Sequence, residues 1–251
     1  MRPRRLLFLV IVSAPGTLVP VPGAQAAERF ELCTSDQGFP PYTRPDGKGS
    51  LQNLARDAAK DAGITLGNHG APRARCIEEL RSGYSAGGVG AYLASREAFL
   101  VYPGEAGQPD RRYRLGATDF VVYRRIGSTV RWDGKRFSSL GGSGAIGAQS
   151  GFSHAVRLRQ MGVKVDESAR SAEQLLAMLD AGRFEAAVVE TSQATAALAA
   201  QPALKLEALP VRFEETDLYL MVSRQTWLQR RELVEALWAS IRKRRESQEG
   251  R

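Results

Sequence analysis

"CIEELRSGYSAGGV", residues 76–89, and "LLAMLDAGRFEAAVV", residues 175–189, share one plan. In each, an apolar helical stretch runs into a glycine, then two or three residues, then a run of small or branched residues. Leu80 matches Leu179, and Gly83 matches Gly182. A glycine just past a helix supplies the left-handed turn that ends it. The run that follows reads as a buried parallel strand. The two copies lie about 100 residues apart, a spacing that fits two similar lobes with a cleft between them.

Working outward from this pair, the chain alternates short apolar strands with helices. Residues 30–34 alternate as a strand and run into the loop Ser35-Asp-Gln-Gly38. Residues 51–62 place Leu51, Leu54, Ala55, Ala58 and Ala62 on one helical face, and Gly63 stops them. A strand follows at 64–66 and a helix at 74–81. Further strands are expected at 121–123, 145–148 and 186–189, with helices at 171–181, 192–200 and, as one long C-terminal element, 226–245. Such alternation predicts an α/β fold with mainly parallel sheets. Gly87-Gly-Val-Gly90 lacks a full dinucleotide fingerprint and reads as close backbone packing.

Residues 1–26 carry Arg2, Arg4 and Arg5, an apolar run over 6–12 and an Ala24-Gln-Ala26 site. This is the pattern of a cleaved secretory signal peptide, and it predicts a periplasmic protein. Of the 35 Lys and Arg residues, three fall in that segment and no acidic residue does, so the net charge drops from +8 to +5. The basic run Arg242-Lys-Arg-Arg245 reads as a solvated helix end, and no nucleic-acid partner is expected. The two cysteines, Cys33 and Cys76, are expected to pair in an oxidising compartment. The competing use, a metal held by both cysteines and His69, has no evident fourth ligand.

Enzyme signatures do not emerge. The chain has two histidines, His69 and His154, in different segments. Gly141-Gly-Ser-Gly-Ala145 fails the nucleophile elbow at its last position. Neither a phosphate-binding P-loop nor an H-E-x-x-H helix is present. Neither cofactor nor metal is expected, and the chain reads as a binder.

Four segments, in order, carry a resemblance. They are "FPPYTRPDGKGSLQNLARDAAKDAGI" from Phe39, "ASREAFLVYP" from Ala94, "GAIGAQSGFSH" from Gly144 and "GRFEAAVVETSQA" from Gly182. Together they resemble the periplasmic solute-binding proteins of the polar amino-acid transporter class, over most of residues 30–225. That resemblance implies a two-lobed, type II periplasmic-binding fold with an interlobe cleft. It implies one lobe at 27–116 plus 217–251 and the other at 117–216, joined by a two-strand hinge.

It also implies roles. Arg96 takes the place of the arginine that grips a ligand carboxylate, which suits a planar fork able to donate two parallel bonds. Glu190 stands where the family usually has an aspartate for the ligand's ammonium. Ser153 and His154 follow Gly151 in the helix-opening loop, and Phe39 and Tyr42 match the aromatic cover. From the residues alone, Arg96 also reads as a surface-turn residue paired with Glu97, Glu190 equally as the cap of the next helix, Phe39 and Tyr42 as ordinary core cover and His154 as a helix-start residue. Ala91, Tyr92, Leu93 and Ala94 depart from the family by lacking the Ser/Thr residues usual before the arginine, which favours a larger or different solute over a standard amino acid. The expected function is a monomer that captures an amino acid or similar small zwitterionic or anionic solute for a membrane permease. The alternative is an accessory or sensor protein that contacts a periplasmic partner instead.

Overall fold

In the computed structural model, residues 28–249 are described; the expected signal peptide lies outside them. Ten strands form one sheet: β1 (Glu28–Ser35), β2 (Ile64–Ala71), β3 (Gly87–Ala91), β4 (Leu100–Val101), β5 (Gly116–Arg125), β6 (Ala145–Ala148), β7 (Lys164–Asp166), β8 (Ala186–Glu190), β9 (Leu206–Ala208) and β10 (Glu214–Ser223). The helices are α1 (Ser50–Asp61), α2 (Arg73–Ser82), α3 (Ser153–Gln160), α4 (Ala172–Asp180), α5 (Thr191–Ala200), α6 (Arg224–Gln229) and α7 (Arg231–Glu249).

The spatial order is β7-β6-β8-β5-β10-β3-β1-β2, with β9 added to β5 and β4 to β10. At one end β1 pairs in parallel with β2 and β3; at the other β6 pairs in parallel with β7 and β8. The long strands β5 and β10 are antiparallel to each other and to these neighbours. The parallel sheets expected from the sequence therefore exist as two blocks, and two crossing strands join them.

Each block has its own core. In the first, α1 turns Leu51, Leu54, Ala55 and Ala58 onto Phe30 and Leu32 of β1, and α7 adds Val234, Leu237 and Ile241. In the second, Phe120, Ile146, Leu158 and Val188 form one cluster, and Leu175, Leu176, Leu179 and Phe184 another. Burying each such side chain contributes roughly 1.5–3 kcal/mol.

The paired sequence segments behave alike. Leu80 and Leu179 are both buried, and Gly83 and Gly182 follow their helices with φ of 76° and 78°. Gly87 is set by close approach, since a Cβ there would lie 2.7 Å from the Met221 carbonyl oxygen.

One expectation needs correction. The C-terminal helix read as a single element over 226–245 is broken at Arg230, giving α6 and α7. The Arg230 guanidinium is drawn to Glu28 and to the Arg29 carbonyl, and Trp227 of α6 stacks on Trp238 of α7 at 5.3 Å. These contacts hold the chain at the break between the two helices. The basic run on α7 is engaged in pairs, with Arg242 donating to Glu246 and Arg244 to Asp61. Among the described residues no helix is long and apolar enough to cross a membrane.

Candidate functional site

A cavity of about 100 Å³ lies where the two blocks meet. Its walls come from the carboxyl ends of parallel strands, the position at which open α/β sheets present ligand sites. From β1 come Cys33, Thr34 and Ser35; from the crossing strands, Thr118, Phe120 and Thr216; from the start of α3, Phe152 and Ser153. A wider cleft of about 860 Å³ adjoins it and shares Arg73 and Phe152.

The blocks also touch directly around the cavity. Phe39 packs on Phe152 with ring centroids 5.1 Å apart, and the Tyr42 hydroxyl donates to Glu190 at 3.1 Å. The site is thus held in a closed arrangement.

Arg96 sits on a single 3-10 turn, Ala94–Arg96, just after β3, and lines the cavity. Burial pushes its pKa down, partly opposed by the neighbouring Tyr102 hydroxyl. Among the described residues, no carboxylate lies within ion-pair distance of it.

A second guanidinium, which the sequence reading missed, lines the same cavity. Arg73 opens α2 and lays its guanidinium over the Phe152 ring, 4.7 Å from the centroid. Burial lowers its pKa, the Arg96 charge lowers it further, and Asp36 at the rim partly offsets both. A signal was present in the sequence. A cation in the first turn opposes the helix dipole, and α2 begins Arg73-Ala-Arg75 with no acidic residue in that turn.

The structure brings Arg96, Ser153 and Phe39 together on the cavity and places the other three candidates elsewhere. Tyr42 packs on Phe39 at 5.1 Å and points its hydroxyl to Glu190. Glu190, expected opposite a ligand ammonium, is 1% exposed and stands behind the cavity wall. It accepts from Thr118 Oγ1 at 2.8 Å, Ser192 Oγ at 2.6 Å, the Gln193 amide at 2.8 Å and the Tyr42 hydroxyl. Four donors occupy the carboxylate, and its place is that of the N-cap of α5.

His154 is likewise off the cavity. It is fully buried between Phe120, at 4.4 Å, and Phe152, at 5.7 Å, with neither ring nitrogen hydrogen-bonded among the described residues. Burial pushes its pKa down from 6.5 to about 3. The unfolded chain therefore takes up the proton first, so stability is full above about pH 6.5 and is lost as pH falls towards 3. At pH 4.5 this one group is expected to cost about 3 kcal/mol. Urea unfolding at pH 7.5 and 4.5 checks it: the parent should lose about 3 kcal/mol more than His154→Phe. Equal losses would show that the ring is not the titrating group.

Cys33 and Cys76 are joined, with S–S 1.97 Å, and the link ties β1 to α2. Both residues line the cavity. His69 and Glu79 lie close by, with ligand atoms within 4.8 Å of one another and of Cys33 Sγ. A metal site that used these cysteines would need them as thiolates, and both sulfurs are consumed in the disulfide. His69 Nε2 instead meets Glu79 Oε2 at 2.7 Å.

No protein-family model matches the chain, and a search of curated proteins finds no match. Solved structures do match. A histidine kinase sensor domain with similarity to periplasmic binding proteins is 16% identical, with a TM-score of 0.65, covering 89% of this chain and 93% of that one. The substrate-binding protein of an amino acid ABC transporter is 18% identical, TM-score 0.62, covering 88% and 95%. The GluR0 ligand-binding core from Nostoc punctiforme, in complex with L-glutamate, is 16% identical, TM-score 0.61, covering 84% and 96%. The chain has the two-lobed fold of periplasmic binding proteins.

Proposed function

We propose that this protein is a periplasmic clamp that closes on a small carboxylate-bearing solute and presents it to a membrane permease. One lobe would comprise residues 27–116 and 217–251 and the other 117–216, with β5 and β10 as the hinge. The observation that carries this reading is Arg96: a half-buried guanidinium, facing a closed cavity, with no carboxylate paired to it among the described residues. A charge held out of water without a partner is costly, and a bound carboxylate would supply the missing partner through charge-assisted bonds. Ser153 and the first amides of α3 add donors from the opposite wall. Phe39 and Phe152 exclude water above it. The matched proteins are named as binding proteins and sensor domains, and the arrangement supports binding without chemistry.

A second reading is favoured by one specific observation. Ala91–Ala94 holds no Ser or Thr where the resemblance leads one to expect them before the arginine, and a kinase sensor domain is among the matched structures. In that reading the lobes contact a periplasmic partner instead of feeding a permease.

A thermal-shift panel of small carboxylates and amino acids tests the proposal. A solute at 100 times its Kd stabilises by about 2.7 kcal/mol, which for a chain of this size raises Tm by roughly 5–10 °C. A panel in which no member moves Tm would sink solute capture and leave the partner reading.

A further inference from the structure

The cavity wall has an unbalanced charge. Arg73 and Arg96 both line it, and no aspartate or glutamate does. Among the described residues, neither guanidinium has an ion pair within 4 Å. Each is withdrawn from water, and each is half-buried at the end of a different element, one opening α2 and the other following β3. Arg73 also holds its position against the dipole of its own helix, an unfavourable placement that an anion in front of it would relieve. The carboxylate that would ordinarily answer a ligand ammonium, Glu190, already accepts four hydrogen bonds behind Thr118.

We infer that the solute is a dicarboxylate, with one carboxylate on Arg96 and the second on Arg73, and that an ammonium group contributes nothing to its recognition. The inference rests on the reading that Arg96 holds a carboxylate, and it adds Arg73 as the residue that sets specificity. Two fixed positive charges in a small desolvated space favour a ligand that neutralises both. A monocarboxylate leaves the half-buried Arg73 guanidinium with no partner but the Asp36 charge at the rim. The Phe152 ring lies 4.7 Å from that guanidinium and stabilises its charge by a cation–π contact. Because Phe152 belongs to the opposite block from Arg73, filling the Arg73 end also favours the closed arrangement.

Titration calorimetry with succinate, butyrate, L-aspartate and sulfate on the full mature chain tests this. Succinate should bind at least 30-fold tighter than butyrate, and L-aspartate should bind no tighter than succinate. In Arg73→Gln the preference for succinate over butyrate should fall below threefold, while butyrate affinity changes little. Arg73→Lys, which keeps the charge without the fork, should retain part of the preference. Thermal unfolding of both variants confirms that they are folded.

Equal binding of succinate and butyrate by the parent would overturn the inference. So would a preference that survives Arg73→Gln, or L-aspartate binding much tighter than succinate. Sulfate outcompeting succinate would overturn it in favour of a compact oxyanion bridging both arginines. If butyrate binds through Arg96 and succinate gains nothing, the inference fails and the carboxylate clamp stands. If no acid binds at all, both fail.

Discussion

Arg96→Gln is expected to weaken carboxylate binding by about 100- to 1000-fold, a loss of roughly 3–4 kcal/mol. The size follows from where the guanidinium sits. It is already withdrawn from water in the closed site, and burial lowers its pKa, so the desolvation cost is incurred on folding and not on binding. A carboxylate arriving there gains charge-assisted bonds in a space that water does not screen. Glutamine keeps one uncharged amide donor on a shorter side chain but removes the charge, and the ligand's own desolvation then goes uncompensated. The same substitution should leave the ligand-free protein as stable as the parent or slightly more so, because it deletes a half-buried charge without an ion-pair partner. Calorimetry and thermal unfolding on the same preparation separate the two effects. An unchanged Kd would remove the central claim.

Opening the Cys33–Cys76 bond should cost about 4 kcal/mol of folding stability in the chain-entropy description. The two residues are 43 apart in sequence, so the link removes a sizeable loop from the unfolded ensemble. It also ties α2, and with it Arg73, to β1 at the cavity wall. The double variant Cys33→Ala, Cys76→Ala should therefore lose stability and also bind its solute more weakly. Urea unfolding of the parent, with and without a reducing agent, measures the first effect. A difference below 1 kcal/mol would mean that the residual structure of the reduced chain already does the work of the bond.

The pattern of success in the sequence reading has a physical basis. Helix α1 was legible because Leu51, Leu54, Ala55 and Ala58 recur at the helical period and Gly63 ends them. The twin segments were legible because a left-handed glycine after a helix leaves a local signature, realised here at Gly83 and Gly182. Strand β10 gave no such signal. Its buried stretch Leu218–Ser223 is continuous, and its role as a crossing strand depends on neighbours β3 and β5, remote in sequence. The C-terminal helix was misread for a similar reason. Its apolar period continues through Arg230, while the break comes from contacts that Arg230 makes 202 residues away with Glu28.

The site divides along the same line. By itself, the sequence determined the α/β alternation and Arg96 as a cation set between apolar runs, and it made pairing of Cys33 with Cys76 the expectation that the structure meets. These depend on local period, on composition and on one residue's chemistry. Only the tertiary structure decided which charges are answered. Glu190 reads equally as a ligand carboxylate and as a helix cap until Thr118, 72 residues away, and Tyr42, 148 away, are seen donating to it. His154 reads as a polar residue at a helix start until Phe120 and Phe152 close over it. Arg73 stands out as nothing in the sequence reading until folding turns it onto the cavity beside Arg96. Whether a polar group is a ligand, a cap or a buried neutral ring is set by the partners that surround it, and those partners come from strands and helices that meet only when the chain has folded.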